Sequence, residues 1–205
     1  MIKCKNICFS LALLITVLFY GDTMAAEIQK LPTPDLKQSS LPLMELLNFR
    51  HSVRAFDRTK LVDEQTLSEI LWAAFGVNTN GKRTIPTARN EQNMKVFVLR
   101  QDGIWYYNGY ENQLEKISDE NAIPFTAEQQ AFVNDAPIHL VYTSSDQHWG
   151  HDHVGSAYQN VYLYATAKGL ATVIRGLVNF DELHRALKLN EDEFVIAHQP
   201  IGYAQ

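Results

Sequence analysis

Residues 94–108 read MKVFVLRQDGIWYYN. Two runs rich in β-branched and aromatic side chains, Met94–Arg100 and Gly103–Asn108, flank Gln101 and Asp102. Asp102-Gly103 is a tight-hairpin signal, so the two runs are expected to pair antiparallel. The segments on either side carry helical periodicity. A hairpin set among helices argues for an α+β fold rather than a repeating βαβ sheet.

Working outward toward the N-terminus, residues 78–90 form a polar loop rich in Asn, Thr and Gly. Before it, Asp63 is a good N-cap for a helix with Leu67, Ile70, Leu71, Ala74 and Phe75 on one face, stopped by Gly76. Earlier still, Leu43, Leu46 and Leu47 share a face of a helix ending near Phe49. Toward the C-terminus, residues 111–125 read as a variable stretch that helps form a pocket. Thr126 with Gln129 reads as a capping box for a short helix ending near Asn134. Residues 137–143 (PIHLVYT) read as a buried strand. Residues 155–168 read as a long helix, with Tyr158, Val161, Tyr162 and Ala165 on one face and Gly169 as C-cap. A short strand is expected at 171–174. Asn179 with Glu182 caps a helix through Leu187, and a last strand spans 194–198 before Gly202 ends it.

The 205 residues suffice for one ordinary domain. The hydrophobic fraction of 46% and charged fraction of 20% can support a core and argue against wholesale disorder. Net charge is −5, with acids and bases mixed, so no basic stripe favours a nucleic-acid partner.

Residues 1–25 are of another kind. Lys3 and Lys5 precede an apolar run from Ile7 to Tyr20, and Thr23-Met24-Ala25 offers small residues before Ala26. That is the layout of a secretory signal peptide, implying export, periplasmic in a bacterium. The apolar run is short for a spanning helix, which needs roughly 20 residues, so no stable membrane span is expected after its removal. An uncleaved anchor is the alternative. Residues 26–40, with Pro32, Pro34, Ser39 and Ser40, read as a linker or extended arm before a domain over 41–205. Both cysteines, Cys4 and Cys8, lie in the leader, which leaves no disulfide, zinc thiolate or cysteine nucleophile for the mature chain.

Three segments suit an anion and a flat ring. In Arg50-His51-Ser52-Val53-Arg54, alternation along an extended chain puts Arg50, Ser52 and Arg54 on one side. Two guanidinium groups and a hydroxyl there suit a phosphate and carbonyl oxygens. Pro86-Thr87-Ala88-Arg89-Asn90-Glu91-Gln92 is a small-residue turn that lets backbone amides approach a ligand. In Gly169-Leu170-Ala171-Thr172-Val173-Ile174-Arg175-Gly176, amides near a glycine at a strand end can reach a ring nitrogen. Each segment alone is also compatible with plain structure: surface ion pairs, a loop entering a strand, a helix–turn–strand unit.

Together and in this order, these segments carry a resemblance to the nitroreductase family of flavoproteins across roughly residues 43–203. The segment from Arg50 to Phe56 is similar to its R-x-S-x-R start, and Pro86 to Gln92 to its P-S-A-x-N-x-Q turn. Gln159-Asn160-Val161-Tyr162-Leu163-Tyr164-Ala165 with Gly169-Leu170 is similar to its Q-N helix. Gly202-Tyr203-Ala204 is similar to its G-Y-P end. Gly103 to Asn108 with Leu114 also resembles a G-x-Y-x-Y…L segment of the family's azoline-dehydrogenase branch.

The resemblance implies a mainly antiparallel central sheet flanked by helices, an interlocked homodimer and bound FMN. It implies that Arg50, His51, Ser52 and Arg54 contact the FMN phosphate, ribityl chain and pyrimidine edge. Pro86, Thr87, Ala88 and Asn90 belong to the turn that reaches the partner subunit's flavin. Ile174, Arg175 and Gly176 lie beside the isoalloxazine, with an amide near N5. Many relatives carry a Lys or Arg beyond the G-Y-P end; here Gln205 stands there, which shifts the phosphate grip toward Arg50, Arg54 and Arg175. The implied activity is ping-pong hydride transfer through flavin N5 to or from a small organic substrate, such as a nitro compound or quinone. No catalytic side chain and no metal are required. Export sets the chain apart from cytoplasmic NAD(P)H, so the expected electron donor is something other than free NAD(P)H. A different class is suggested by His148, His151 and His153 with Asp152, four potential ligands in six residues. That reading is an exported metal-binding, or merely flavin-binding, protein without turnover.

Overall fold

A computed structural model describes residues 26–37 and 41–205; the leader read at 1–25 lies outside the described residues. Seven strands form one sheet, in the order β1 (Ile28–Lys30), β4 (Gln113–Ser118), β3 (Gly103–Asn108), β2 (Met94–Arg100), β5 (Ile138–Ser144), β7 (Phe194–Tyr203) and β6 (Leu170–Thr172). Every pairing is antiparallel. The α+β expectation holds.

The hairpin that opens the sequence reading sits next to the centre of the sheet. Arg100 pairs with Gly103 around the two-residue turn, and Gly103 takes a φ of +136° where a Cβ would meet the Ser118 carbonyl oxygen at 2.3 Å. The glycine therefore serves the strand junction rather than the turn. The continuous apolar run of β2 follows from burial on both faces. Met94, Val96 and Val98 pack beneath α2 (Glu64–Phe75) and α4 (Gly150–Lys168), while Phe97 and Leu99 face the opposite way toward α5 (Phe180–Ala186). The larger core lies under α2 and α4, where Leu67, Ile70, Leu71 and Ala74 meet Val154, Ala157, Val161 and Ala165. Asn160 ties the two helices by donating to the Ala73 carbonyl at 3.0 Å.

Caps read from sequence act as expected at three ends. The Asp63 carboxylate accepts the Thr66 amide, the Asn179 side chain accepts the Glu182 amide, and Gly169 closes α4 at φ 66°. The short helix α1 (Leu43–Phe49) also ends where expected.

Other expectations need correcting. α4 begins at Gly150, not 155, because Asp146 accepts the His148 and Trp149 amides and its carbonyl accepts the Gly150 amide. Those bonds hold the Asp146 carboxyl below its usual range, the Trp149 amide contributing most. Thr126 is not an N-cap: helix α3 (Pro124–Ala127) starts on Pro124, and the Thr126 hydroxyl donates back to the Ile123 carbonyl. A separate 3-10 turn, Ala131–Asp135, follows after Glu128 reverses the chain at φ 42°. β7 runs through Pro200 and Gly202 to Tyr203. Gly202 is there for close packing, since a Cβ would lie 2.8 Å from Pro137 Cδ.

Two strands escape the sequence reading. The stretch 111–125 contains β4, and the arm 26–40 contains β1, which pairs Ile28–Lys30 with Gln113, Leu114 and Glu115. The arm then crosses to α2. Pro32 O accepts from Asn112 Nδ2 and from Ser68 Oγ, and Thr33 O accepts from Gln65 Nε2. A three-residue strand has no signature of its own; its partner defines it.

Candidate functional site

The site forms where the chain leaves α1 and passes the C-terminal half of α4. The centre is Tyr162. Its hydroxyl accepts the Ile174 amide at 2.8 Å and lies 2.9 Å from Ser52 Oγ, and the Arg50 guanidinium rests 5.1 Å from its ring centroid. Val53 N donates to Thr172 O, drawing the same segment against β6. Two of the three segments read from sequence are thus brought together, by a tyrosine that the sequence placed on a helix face and in the Q-N helix without a role at the site. An inward-facing Tyr on α4 level with an Arg-x-Ser segment was the available signal.

The cations in this region are unequal. Arg50 is half-buried over Tyr162, and Arg54 is exposed; among the described residues neither has a carboxylate partner. With Ser52 exposed between them, they form an anion-accepting set. The His51 ring folds back to the Phe49 carbonyl at 2.8 Å.

Arg175 behaves otherwise. It is 6% exposed, and its guanidinium is pinned: Nε donates to Gln130 Oε1 at 2.7 Å, Nη1 to Thr126 O at 2.6 Å, and Nη2 to Leu177 O at 2.9 Å. Ile174 and Arg175 are neighbours in an extended segment, so their side chains take opposite sides. The expectation that Arg175 grips a phosphate is corrected, since its guanidinium is buried and each of its three nitrogens already donates to a protein acceptor. Burial lowers its pKa from the ordinary arginine value.

The backbone of this segment is also sorted. The Arg175 amide donates to His198 O at 2.8 Å and the Ile174 amide to Tyr162, whereas the exposed Gly176 has no protein acceptor among the described residues. A Cβ at Gly176 would meet nothing within 4 Å, so the space beside this amide is open.

The turn at 86–92 lies elsewhere. Ala88 N donates to His153 Nε2 at 2.8 Å, which fastens the turn to the first turns of α4. His153 and Tyr162 are nine residues apart, about 14 Å along the helix. Arg89, Asn90 and Gln92 adopt left-handed φ of 50°, 57° and 52°, and in the turn they shape Pro86 is exposed while Thr87 and Ala88 are half-buried. Gln92 is structural: its Oε1 accepts from Arg83 Nε and from the Tyr110 hydroxyl, while Arg83 lies between the Phe75 and Tyr110 rings. Within one chain, Pro86–Ala88 and the Tyr162 region are separate patches.

His148, His151 and His153 fall in or beside the first turns of α4, with His153 committed to Ala88 and His148 edge-on to Trp149. Among the described residues no group of three or more His, Cys, Asp or Glu is arranged to hold a metal ion. The aromatic segment read as the azoline-dehydrogenase feature is β3, whose Trp105 and Tyr107 are buried in the core, with Leu114 opposite Tyr107.

A family model described as the nitroreductase family matches residues 47–203. The chain belongs to the nitroreductase family. A protein of Methanocaldococcus jannaschii assigned as a nitroreductase is 30% identical over 203 residues, covering 89% of this chain and 98% of that one. A crystal structure from Ralstonia eutropha JMP134, also assigned as a nitroreductase, superposes with a TM-score of 0.79 at 34% identity, covering 87% of this chain and 90% of the other. A Clostridium difficile R20291 protein described as an FMN-dependent nitroreductase shares the fold, with a TM-score of 0.60 at 16% identity over 80% and 88% of the two chains. Nitroreductase membership makes the chain an oxidoreductase of a flavin-dependent class.

Proposed function

We propose that the chain is an exported, FMN-dependent homodimeric oxidoreductase acting on a small organic substrate. The carrying observation is the Tyr162 centre. It gathers the Ser52 hydroxyl and the unpaired Arg50 cation beside the segment whose Gly176 amide is free. Those groups fit FMN: two uncompensated guanidinium groups for a phosphate or pyrimidine oxygens, a hydroxyl for the ribityl chain, and an open amide for a ring nitrogen.

In this reading Arg50, Ser52 and Arg54 bind and orient the cofactor, with His51 steadying their segment. Ile174, Arg175 and Gly176 line the ring, with Gly176 the donor. When bound, FMN supplies hydride transfer at N5 in a ping-pong cycle. Pro86, Thr87, Ala88 and Asn90 belong to a turn fastened to His153, nine residues before Tyr162 on α4, which supports their serving the partner subunit's flavin. The exposed apolar face of α1, where Met44 is 74% exposed and Leu43 60%, supports a homodimer.

Export is supported by the leader's Lys3, Lys5 and apolar run, and β1 begins just beyond the expected cleavage at Ala25. No helix among the described residues is long and apolar enough to cross a membrane. The proposed physiological donor is not free NAD(P)H.

The test is the visible spectrum of the purified mature protein, with dithionite reduction and identification of the released cofactor. One FMN per chain, bleached by dithionite, is expected. A colourless protein that FMN fails to reconstitute would sink the proposal. For the donor, rapid NADH turnover at micromolar KM by a cytoplasmic protein is the opposing result.

A further inference from the structure

Behind the Ile174–Gly176 segment lies a buried charge that the proposed chemistry has not used. His139 and His198 are fully buried on neighbouring strands β5 and β7, with their rings stacked 5.2 Å apart. His139 Nε2 faces the Ala136 carbonyl at 3.1 Å, so it must carry the hydrogen. His139 Nδ1 is then bare and accepts His198 Nε2–H at 3.0 Å. His198 Nδ1 is bare in turn and accepts Arg175 Nη1–H at 3.0 Å. The chain of bonds runs one way, from guanidinium to carbonyl, and requires both imidazoles to be neutral. A proton on His198 Nδ1 would point at the guanidinium.

Arg175 is thus the charge of this cluster, and it has no counter-ion among the described residues. Its partners are an amide oxygen, two carbonyls and an imidazole nitrogen, all uncharged. Burying an unpaired cation is unfavourable, and a site built for stability alone would hold a carboxylate or an apolar side chain. Gln130 occupies the place where a carboxylate would neutralise the guanidinium.

We infer that Arg175 is a positioning residue that holds a stationary, uncompensated positive charge behind the cofactor segment, where it favours the reduced form of a bound flavin. This inference rests on the flavin reading above. Accepting a hydride adds two electrons and one proton to the neutral oxidised ring, leaving one net negative charge. A fixed cation nearby stabilises that charge without reorganisation. The His139–His198 pair keeps the guanidinium in place without adding charge of its own.

The test is the two-electron midpoint potential of the flavin-loaded full chain, measured by equilibration with redox dyes. Gln130→Glu preserves shape and the hydrogen bond to Nε while supplying the missing counter-ion. Arg175→Gln removes the charge, and Arg175→Lys retains it. Gln130→Glu and Arg175→Gln are expected to lower the reduction equilibrium constant at least tenfold, about 30 mV for a two-electron couple. Arg175→Lys should stay near the parent. A structural role alone predicts unchanged potentials in every variant that binds flavin, and that result overturns the inference. Should Arg175→Gln not fold, Gln130→Glu decides. A parent protein that neither carries nor accepts FMN overturns the flavin reading itself, an outcome distinguished by cofactor content before any potential is measured.

Discussion

His139 and His198 make the acid side of stability a property of two residues. Burial depresses the His139 pKa to about 4, and burial with the neighbouring His139 and Arg175 holds His198 well below the ordinary histidine value. In the unfolded chain both bind a proton near pH 6.5. Between that pH and about 4 the unfolded state therefore holds more protons, so stability falls as pH drops through this window. His139 alone accounts for a loss on the order of 3 kcal/mol by pH 4. The window lies above that of the depressed carboxyls Glu69 and Glu193, whose ordinary value is 4.5. Urea midpoints measured from pH 7 to 4 should decline throughout; a flat profile down to pH 4.5 contradicts the assigned tautomers. At the same scale, Tyr162→Phe removes the acceptor of the Ile174 amide and the partner of Ser52. It should cost roughly 1–3 kcal/mol in stability and weaken FMN retention, read by denaturant titration and by flavin content after dialysis.

Elements show how local signals are completed by neighbours. β1 is held by β4 through its backbone and by Asn112, whose side chain donates to Pro32 O and to Ser68 Oγ. Asn112 also takes φ 46°, so Asn112→Gly keeps the backbone relaxed while removing those bonds. Faster amide exchange confined to Ile28–Lys30 is expected, and unchanged protection there would mean that the backbone pairing suffices. The late part of β7 depends on close approach. Gly202→Ala drives a Cβ against the Pro137 ring and to within 3.2 Å of the Phe56 ring. The proline cannot rotate away, so a loss of about 1–3 kcal/mol is expected, measurable as a lower denaturation midpoint.

At the scale of the molecule, the proposed site is one shared between two copies. The Tyr162 region and the Ala88–His153 contact lie nine residues apart on α4, and α1 leaves Leu43, Met44, Leu47 and Phe49 exposed. If a second copy covers that face, Met44→Glu should shift the protein to monomer by sedimentation and release flavin together with the dimer. A flavin-loaded monomer would count against the shared site.

The amino-acid sequence by itself determined what depends on neighbours in the chain. Asp63, Asn179 and Gly169 mark helix ends because caps act within a few residues, and the 94–108 run declares a hairpin through two β-branched and aromatic stretches around a two-residue turn. Arg50, Ser52 and Gly176 were legible as candidate ligand residues because their chemistry and spacing are local. Only the tertiary structure decided the rest. β1 exists through its pairing with β4, β4 is completed by β3 and β1, and Tyr162 reaches the candidate site because α4 packs beside β6. Arg175 turned from a phosphate ligand into a buried charge because β5 and β7 place two histidines beside it, 36 and 23 positions away in the chain. Hydrogen-bond direction and burial are set by such distant partners, and no spacing along the chain encodes them.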